Sequence, residues 1–334
     1  MLFREFAGSA ALVLACTTLA GAQGFEERTM TLGHVVATQF PYHTSAMFMK
    51  EEMDERTDGA WTLAVHPSGA LGDERDALDS LLLGTMDFTW VHTAAMASFV
   101  PSFDLFNMPF VFRSTEHIDE ALSTLDFSKF YEEADAAGFK LLGIGSPAFR
   151  YPMNNVRPIE TADDFQGMRM RTMGVAAHID TYTALGSQVA STSFAELYGA
   201  LQTGVVDGNE NALSALHAMR FHEVQEHLTL LPAVANIAVL VMSKPLFDSM
   251  SPEEQELIEE IGRNTVQKND DDYARMDAEA LEAMEQQGLQ VNEVDDLTSF
   301  IEVTAPVREK YSANLAPWVR DLMTQIEELP SAQQ

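Results

Sequence analysis

The sequence predicts an α/β fold, and three observations carry that expectation. Strand-like and helix-like runs alternate along the chain, with no low-complexity block and no short-period repeat. From Thr29 to Val91 the runs read β-α-β-α-β, the unit that builds a parallel sheet with helices on its faces. A helical pattern then runs from Pro252 to about Gln287, too long to lie on one small sheet. It either breaks near Asn269-Asp270-Asp271-Asp272 or spans two lobes. Two lobes joined by such a helix suit a protein that binds its ligand in a cleft. At about 150 residues per domain, 334 residues make one large domain or two ordinary ones.

The elements follow in order. Thr29 to Val36 (TMTLGHVV) is the first strand, and Ser45 to Arg56 is helical with Met49 and Met53 on one face. Trp61 to His66 (WTLAVH) alternates as a strand does, and Pro67-Ser68-Gly69 turns the chain. Asp73 to Leu83 is the next helix, ended by Gly84, and Asp87 to Val91 is a short buried strand. Gly143-Ile144-Gly145 reads as a tight strand-to-loop turn. Ser193-Phe194-Ala195-Glu196 has the capping-box pattern, followed by Leu197 and Leu201 on an apolar face and Gly204 as a stop. Asp207-Gly208 is a turn signal. Ser251-Pro252-Glu253-Glu254 opens the long helix, with Pro at its first position.

Residues 1–22 read as a secretory signal: Arg4, a short apolar stretch from Ala7 to Ala15, and the small-residue site Ala20-Gly21-Ala22. Cys16, the single cysteine, lies inside it, so the mature chain would have no disulfide, thiolate nucleophile or cysteine zinc site. Val13-Leu14-Ala15-Cys16 also resembles a lipoprotein box, which leaves lipid anchoring at Cys16 as an alternative to cleavage near Ala22. The mature protein is expected to be soluble and periplasmic. Twenty Lys and Arg stand against 51 Asp and Glu, a net charge of −31. Such a surface repels nucleic-acid phosphates and anionic membranes, so no nucleic-acid partner is expected. An excess of acid with only six lysines also fits a high-salt habitat, where self-repulsion is screened.

Signatures of catalysis are missing. His222-Glu223-Val224-Gln225-Glu226-His227 is one residue too long for the zinc motif HExxH, and the extra residue turns the second His off the first one's face. Gly143-Ile144-Gly145 lacks the third glycine of a dinucleotide loop. No GxxxxGK[ST] loop and no GxSxG elbow occurs. The expectation is therefore a protein that is not an enzyme, with no metal and no organic cofactor.

Binding chemistry is concentrated between Phe149 and Asn211. Arginine is scarce, so its placement is informative. Gly167-Met168-Arg169-Met170-Arg171-Thr172 alternates with period two, putting Arg169 and Arg171 on one strand face and the methionines on the other. Phe149-Arg150-Tyr151 follows another buried-looking run. A guanidinium at a strand end can grip a carboxylate through two parallel hydrogen bonds, although arginines in so acidic a chain can equally pair with surface acids. Asn211, at the end of Asp207-Gly208-Asn209-Glu210-Asn211, could aim its amide into a cleft.

These segments resemble the solute-binding receptors of TRAP (tripartite ATP-independent periplasmic) transporters, the C4-dicarboxylate-binding, DctP-like family. The resemblance runs from about Leu32 to Ser249. It is carried by Leu32-Gly33-His34-Val35-Val36, His66-Pro67-Ser68-Gly69 with Leu71-Gly72-Asp73-Glu74, and Met108-Pro109-Phe110-Val111-Phe112. It continues through Phe149-Arg150, Asn154-Asn155-Val156-Arg157-Pro158-Ile159, Gly167 to Arg171, and Glu196 to Gly208. It implies a periplasmic binding protein of two α/β lobes, with a central ligand cleft and a long helix spanning the lobes. It also implies delivery of a small-molecule ligand to the permease subunits in the membrane.

On this resemblance Arg171 is the position of the carboxylate-binding arginine, Arg150 of an assisting cation and Asn211 of a ligand-contacting amide. Arg157 and Arg169 are structural, and Asp207 and Glu210 are turn or hinge residues. The chain departs from the family pattern at Ala233 to Ala238, where Asn236 is the only polar candidate, and at Phe88 to His92, where Trp90 and His92 are candidates for the first-lobe wall. Phe194 and His34 complete the expected binding set. The expected division is 26–147 with 236–275 as lobe I, and 148–235 with 276–330 as lobe II. The protein is expected to act as a monomer and to bind a small organic acid. The alternatives are a zwitterionic, neutral or small amine solute, or a periplasmic hydrolase or lyase.

Overall fold

The computed structural model describes residues 24–330, so the expected signal, its cleavage site and Cys16 lie outside the described residues. Ten strands form the centre: β1 (Arg28–Gly33), β2 (Trp61–His66), β3 (Phe88–His92), β4 (Phe139–Asn154), β5 (Arg169–Thr172), β6 (Gln188–Ser191), β7 (Gly208–Asn211), β8 (His227–Leu230), β9 (Val234–Ser243) and β10 (Gln290–Glu293). Their order is β2-β1-β3-β9-β4-β7-β5-β6, with β8 beside β4 and β10 beside β8. The β1–β2 and β1–β3 pairs are parallel, as the opening β-α-β-α-β pattern requires, and so are β5–β6 and β5–β7.

Strand β4 joins the two halves. Through Arg150 it pairs antiparallel with β9, and from Tyr151 onward it pairs with β7 and β8. Arg150 thus stands where β4 changes partners. Strand β9 (VANIAVLVMS) is buried along its whole length and is apolar on both faces because helices cover both sides of its sheet. Ile237, Val239 and Val241 enter a cluster with Phe103, Phe106 and Phe130. Ala238, Leu240 and Met242 enter another with Met30, Trp61 and Trp90. In the second half Met168 and Met170 pack with Phe165 and Tyr182, and Met153 and Leu228 pack with Leu197 and Met284.

Local signals held where local chemistry decides. Asp73 caps the helix Glu74–Leu83 reciprocally with Asp76, and Gly84 ends it at φ 68°. Ser251 caps the long helix: its Oγ accepts from Glu254 N, while the Glu254 carboxylate accepts from Ser251 N. That helix runs unbroken over Pro252–Gln286, roughly 50 Å at 1.5 Å per residue. Leu257, Ile258 and Ile261 pack in the cluster of the first half, and Ala280 and Met284 in a cluster of the second. One helix therefore spans both halves, and the alternative of a break near Asn269 does not occur. The terminal helix Pro317–Glu328 returns to the first half, burying Val319, Leu322 and Ile326 beside Phe103 and Phe130.

The Gly143-Ile144-Gly145 run is not a turn. It lies within β4, where the long helix crosses so closely that no side chain fits. A Cβ on Gly143 would meet Val266 Cγ2 at 2.7 Å, and one on Gly262 would meet Leu142 Cβ at 2.6 Å. Gly262→Val is therefore expected to destabilise the protein by about 2–3 kcal/mol in chemical denaturation, through overpacking. Gly199→Ala has open space at its Cβ and is expected to be neutral or slightly stabilising. Equal effects of the two substitutions would remove the close crossing as the reason for Gly262. Among the described residues no helix is long and apolar enough to cross a membrane.

Candidate ligand-binding site

In open α/β sheets, ligands bind in the crevice beyond the carboxyl ends of the parallel strands. Here that crevice is a cavity of about 630 Å³. Its walls follow the ends of β1 (Val35, Val36), β3 (His92), β5 (Arg171), β6 (Thr192) and β7 (Asn211). The two halves of the chain face each other across it.

Arg171 leaves β5 as the buried residue of the Arg169/Arg171 pair. Its exposed counterpart Arg169 forms an ion pair with Asp207. Among the described residues Arg171 donates to one acceptor, the carbonyl of Thr192, from Nε at 3.2 Å and Nη2 at 2.7 Å. Its Nη1 is buried with no hydrogen-bond partner among the described residues. Burial lowers its pKa to about 10, against the favourable charge of Glu210 and with the repulsion of Arg150. A buried guanidinium with a free terminal nitrogen is suited to receive an anionic oxygen.

Arg150 is different. Its Nε forms a buried ion pair with Glu210, which lies in β7 and is fully buried. Its Nη2 donates to Glu210 O at 2.8 Å and Asn211 Oδ1 at 2.9 Å, and its Nη1 to Asn236 Oδ1 at 3.0 Å. Four of the five donors of the guanidinium are thereby occupied within the protein. Burial alone would raise the Glu210 pKa, but Arg150 and His178 hold it down to about 2. His178, whose pKa burial lowers, stands 3.8 Å from Glu210 Oε1. Asn211 is occupied at both ends of its amide, accepting from Arg150 and donating to Asn209 Oδ1 at 2.7 Å.

The opposite wall is acidic. Glu74, in the first turn of its helix, accepts from His92 Nδ1 at 2.7 Å and from His92 N at 3.1 Å. The other side of the His92 ring meets Tyr42 Oη at 3.2 Å. Asp73 and Arg75 also reach the cavity, and the Arg75 guanidinium lies over the Phe99 ring at 5.4 Å.

Of the eight expected binding residues, Arg171, Arg150, Asn211, His92, Phe194 and Asn236 line this cavity, whereas Trp90 and His34 do not. Trp90 alternates away from the crevice and stacks on Tyr42, centroids 5.3 Å apart, in the core of the first half. The His34 Nε2 meets His43 Nδ1 at 3.1 Å, and burial with the neighbouring His43 lowers its pKa to about 4, so it is a neutral core histidine. The Ser193 capping box does not form. Ser193 Oγ donates to the Glu196 carboxylate at 2.8 Å, the helix starts at Leu197, and Thr192 to Ala195 lines the cavity instead. The Asp207-Gly208 segment is likewise not a free turn: Gly208 to Asn211 is β7, paired with β4 and β5.

Sequence reasoning missed three contributors: Glu210, Glu74 and the Thr192 carbonyl. No local signal marks them, because each acts through a partner distant in sequence. His222 and His227 also part company: His222 Nε2 meets Gln287 Oε1 at 3.0 Å, while His227 lies in β8. Among the described residues no group of three or more His, Cys, Asp or Glu is arranged to hold a metal. A second cavity, about 530 Å³ and bounded by His217, His222 and Glu279, contains none of the expected binding residues.

Residues 32–314 match the family described as bacterial extracellular solute-binding protein, family 7 (DctP). The chain is 31% identical over 261 residues to a solute-binding protein of Verminephrobacter eiseniae, covering 78% of each. Among solved structures it superposes with TM-score 0.86 on the sugar acid-binding protein DctPAm of Advenella mimigardefordensis, solved with galactonate. That match has 27% identity, 91% of this chain and 99% of the other. It superposes with TM-score 0.85 on a TRAP periplasmic solute-binding protein of Sulfitobacter sp. NAS-14.1, solved with β-D-galacturonate, at 29% identity, 90% of this chain and all of the other.

Proposed function

We propose, on the premise that this chain belongs to the bacterial extracellular solute-binding protein family 7, that it captures a small hydroxylated organic acid for a membrane permease. The family is one of extracytoplasmic TRAP receptors rather than enzymes. The observation that carries the ligand class is the buried Arg171 on the cavity wall, whose Nη1 has no hydrogen-bond partner among the described residues. Arg171 grips the carboxylate. Arg150, held by Glu210, Asn211 and Asn236, supports the floor beside it. Phe194 lies on the Arg171 side, and His92 and Glu74 form the facing wall, where the Glu74 carboxylate, held by His92, accepts from hydroxyls. The acids bound by the two structural relatives, galactonate and galacturonate, have this combination of one carboxylate and several hydroxyls.

We assign 26–147 and 236–275 to lobe I and 148–235 and 276–316 to lobe II. The terminal helix Pro317–Glu328 goes with lobe I, whose cluster it completes. Closure of the lobes on the ligand changes the surface shown to the permease. The receptor acts as a monomer after cleavage near Ala22.

A thermal-shift panel of galactonate, galacturonate, gluconate, erythronate and the neutral sugar galactose tests the ligand class. At 100 times its dissociation constant an acid should stabilise the protein by about 2.7 kcal/mol, and galactose should not. Stabilisation by galactose with no response to any acid would overturn the carboxylate assignment.

A further inference from the structure

Among the described residues three arginines line the cavity, and two of them are deep: Arg150 and Arg171 are each 3% exposed. Arg150 is held by Glu210, Asn211 and Asn236, and Arg171 by the Thr192 carbonyl. The third, Arg75, is exposed at the rim on the lobe I side. It stands in the first turn of the helix Glu74–Leu83, where the helix dipole favours acids over cations. Asp79, one turn on, has the usual spacing for an ion pair on a helix, yet the guanidinium turns away from it and lies over the Phe99 ring, 5.4 Å from the centroid. Phe99 is itself set edge-to-face against the buried Phe139 ring at 5.5 Å, so the platform is fixed. Only the backbone of Arg75 is committed, its N donating to Asp73 Oδ1 at 2.9 Å. Among the described residues its guanidinium makes no ion pair and no hydrogen bond, in a chain with 51 Asp and Glu.

We infer that Arg75 is the encounter residue of this receptor: it draws the ligand carboxylate to the mouth of the cavity before Arg171 takes it inside. This deepens the carboxylate reading and rests on it. A net charge of −31 repels an anion at long range. The lobe I rim adds to that repulsion, because Asp73, Glu74, Asp76 and Asp79 all lie on or next to the first turns of the same helix. The capping box holds Asp73 and Asp76, and His92 holds Glu74, but their charges remain. Arg75 is the one cation among these four acids, and without it that stretch of rim is acid alone. Arg171 is too deep to act on an anion still in bulk water. A surface guanidinium with no counter-ion in contact keeps its charge for whatever approaches. A rim charge acts chiefly on kon and its salt dependence, whereas a buried charge contact acts on koff. Arg75 and Arg171 therefore divide the work, the first in capture and the second in retention.

Stopped-flow binding of galactonate, or of the panel acid with the largest thermal shift, separates the two rates. Arg75→Gln, Arg75→Glu and Arg75→Lys are compared with wild type, and the exposed position accommodates all three. At an ionic strength of about 0.01 M, where the Debye length is about 30 Å, Arg75→Gln should lower kon about threefold to fivefold. Arg75→Glu, which reverses the charge, should lower it by about tenfold or more, and Arg75→Lys should stay within about twofold of wild type. Every koff should remain within about twofold of wild type. In about 1 M salt, where the Debye length is about 3 Å, the differences in kon should shrink to within about twofold. A kon for Arg75→Gln indistinguishable from wild type at low salt would overturn the inference. So would a loss that appears in koff, which would make Arg75 a contact of the loaded state, or an Arg75→Lys variant as slow as Arg75→Gln, which would remove charge as the cause. Those results leave the carboxylate reading intact. Failure of the wild type to bind any acid of the panel removes that reading, and this inference with it.

Discussion

Arg171→Ala is expected to lower affinity for the acid ligand by about 100- to 1,000-fold, which is about 3–4 kcal/mol. The loss is this large because Arg150, the other cation of that wall, is already held by Glu210, Asn211 and Asn236. A charge-assisted hydrogen bond contributes about 1.5–3 kcal/mol, and the substitution also leaves a desolvated anion unpaired. The apo protein should be almost unaffected, with a thermal midpoint within about 1 °C of wild type. Among the described residues Arg171 holds only the Thr192 carbonyl, and its buried charge is itself unfavourable without ligand, as its lowered pKa of about 10 records. Calorimetric titration of galactonate or whichever acid the panel selects, together with a melting curve, measures both quantities. Affinity within threefold of wild type would remove Arg171 as the clamp. A melting loss of several degrees would make it a structural residue.

The two arginines looked alike in the sequence, and the reason they are not alike is tertiary. Arg150 and Glu210 are 60 positions apart, and nothing near either residue announces the other. Glu210 sits in a segment whose Asp-Gly start reads as a turn, whereas Asp207 pairs with Arg169 across the sheet and Gly208 already begins β7. The strand begins at the very next residue because β4 and β5 lie on both sides of it, a fact of sheet order that no window of sequence contains. The same limit applies to Trp90. Its strand alternates correctly, but alternation alone does not say which face meets the crevice when both faces of a sheet are covered.

Where a structure is set by neighbours in the chain, the sequence was legible. The strand Trp61–His66, the helix between Asp73 and Gly84, and the start of the long helix at Ser251 agree with expectation to within a residue. The glycines of β4 illustrate the intermediate case. Their presence was visible, but their purpose depends on the helix that crosses them more than a hundred residues later. Arg171 was legible for a further reason: in a chain with a net charge of −31, a strand-borne arginine pair between methionines is an uncommon feature. The structure then separates its members by burial, Arg169 outward to Asp207 and Arg171 inward to the cavity.

Arg150→Met should produce the opposite signature to Arg171→Ala: a loss of about 3–5 kcal/mol in stability, seen without any ligand. The substitution keeps most of the side-chain volume and removes the counter-ion of a carboxylate that is fully buried in β7. The dependence on pH should also change sign. In the wild type the Glu210 pKa lies at about 2, below its ordinary 4.5. The stability it contributes is fully present above about pH 4.5 and is lost as pH falls from there through about 2. Without Arg150 burial dominates and pushes the folded-state pKa above 4.5. Glu210 then opposes folding at neutral pH, and stability is regained as acid protonates it, between its raised pKa and about 4.5. The other groups facing it are His178, Arg171 and Tyr182. Of these only Arg171 is a standing cation, and it cannot replace the contact that Arg150 makes. Urea melts at pH 7 and pH 5 should therefore show the variant gaining stability on acidification while the wild type changes little through this group. Adding Glu210→Gln to Arg150→Met should recover much of the loss and flatten the pH response, because an amide in that position needs no counter-ion. A single variant as stable as wild type at pH 7 would mean that Glu210 is held by something other than Arg150.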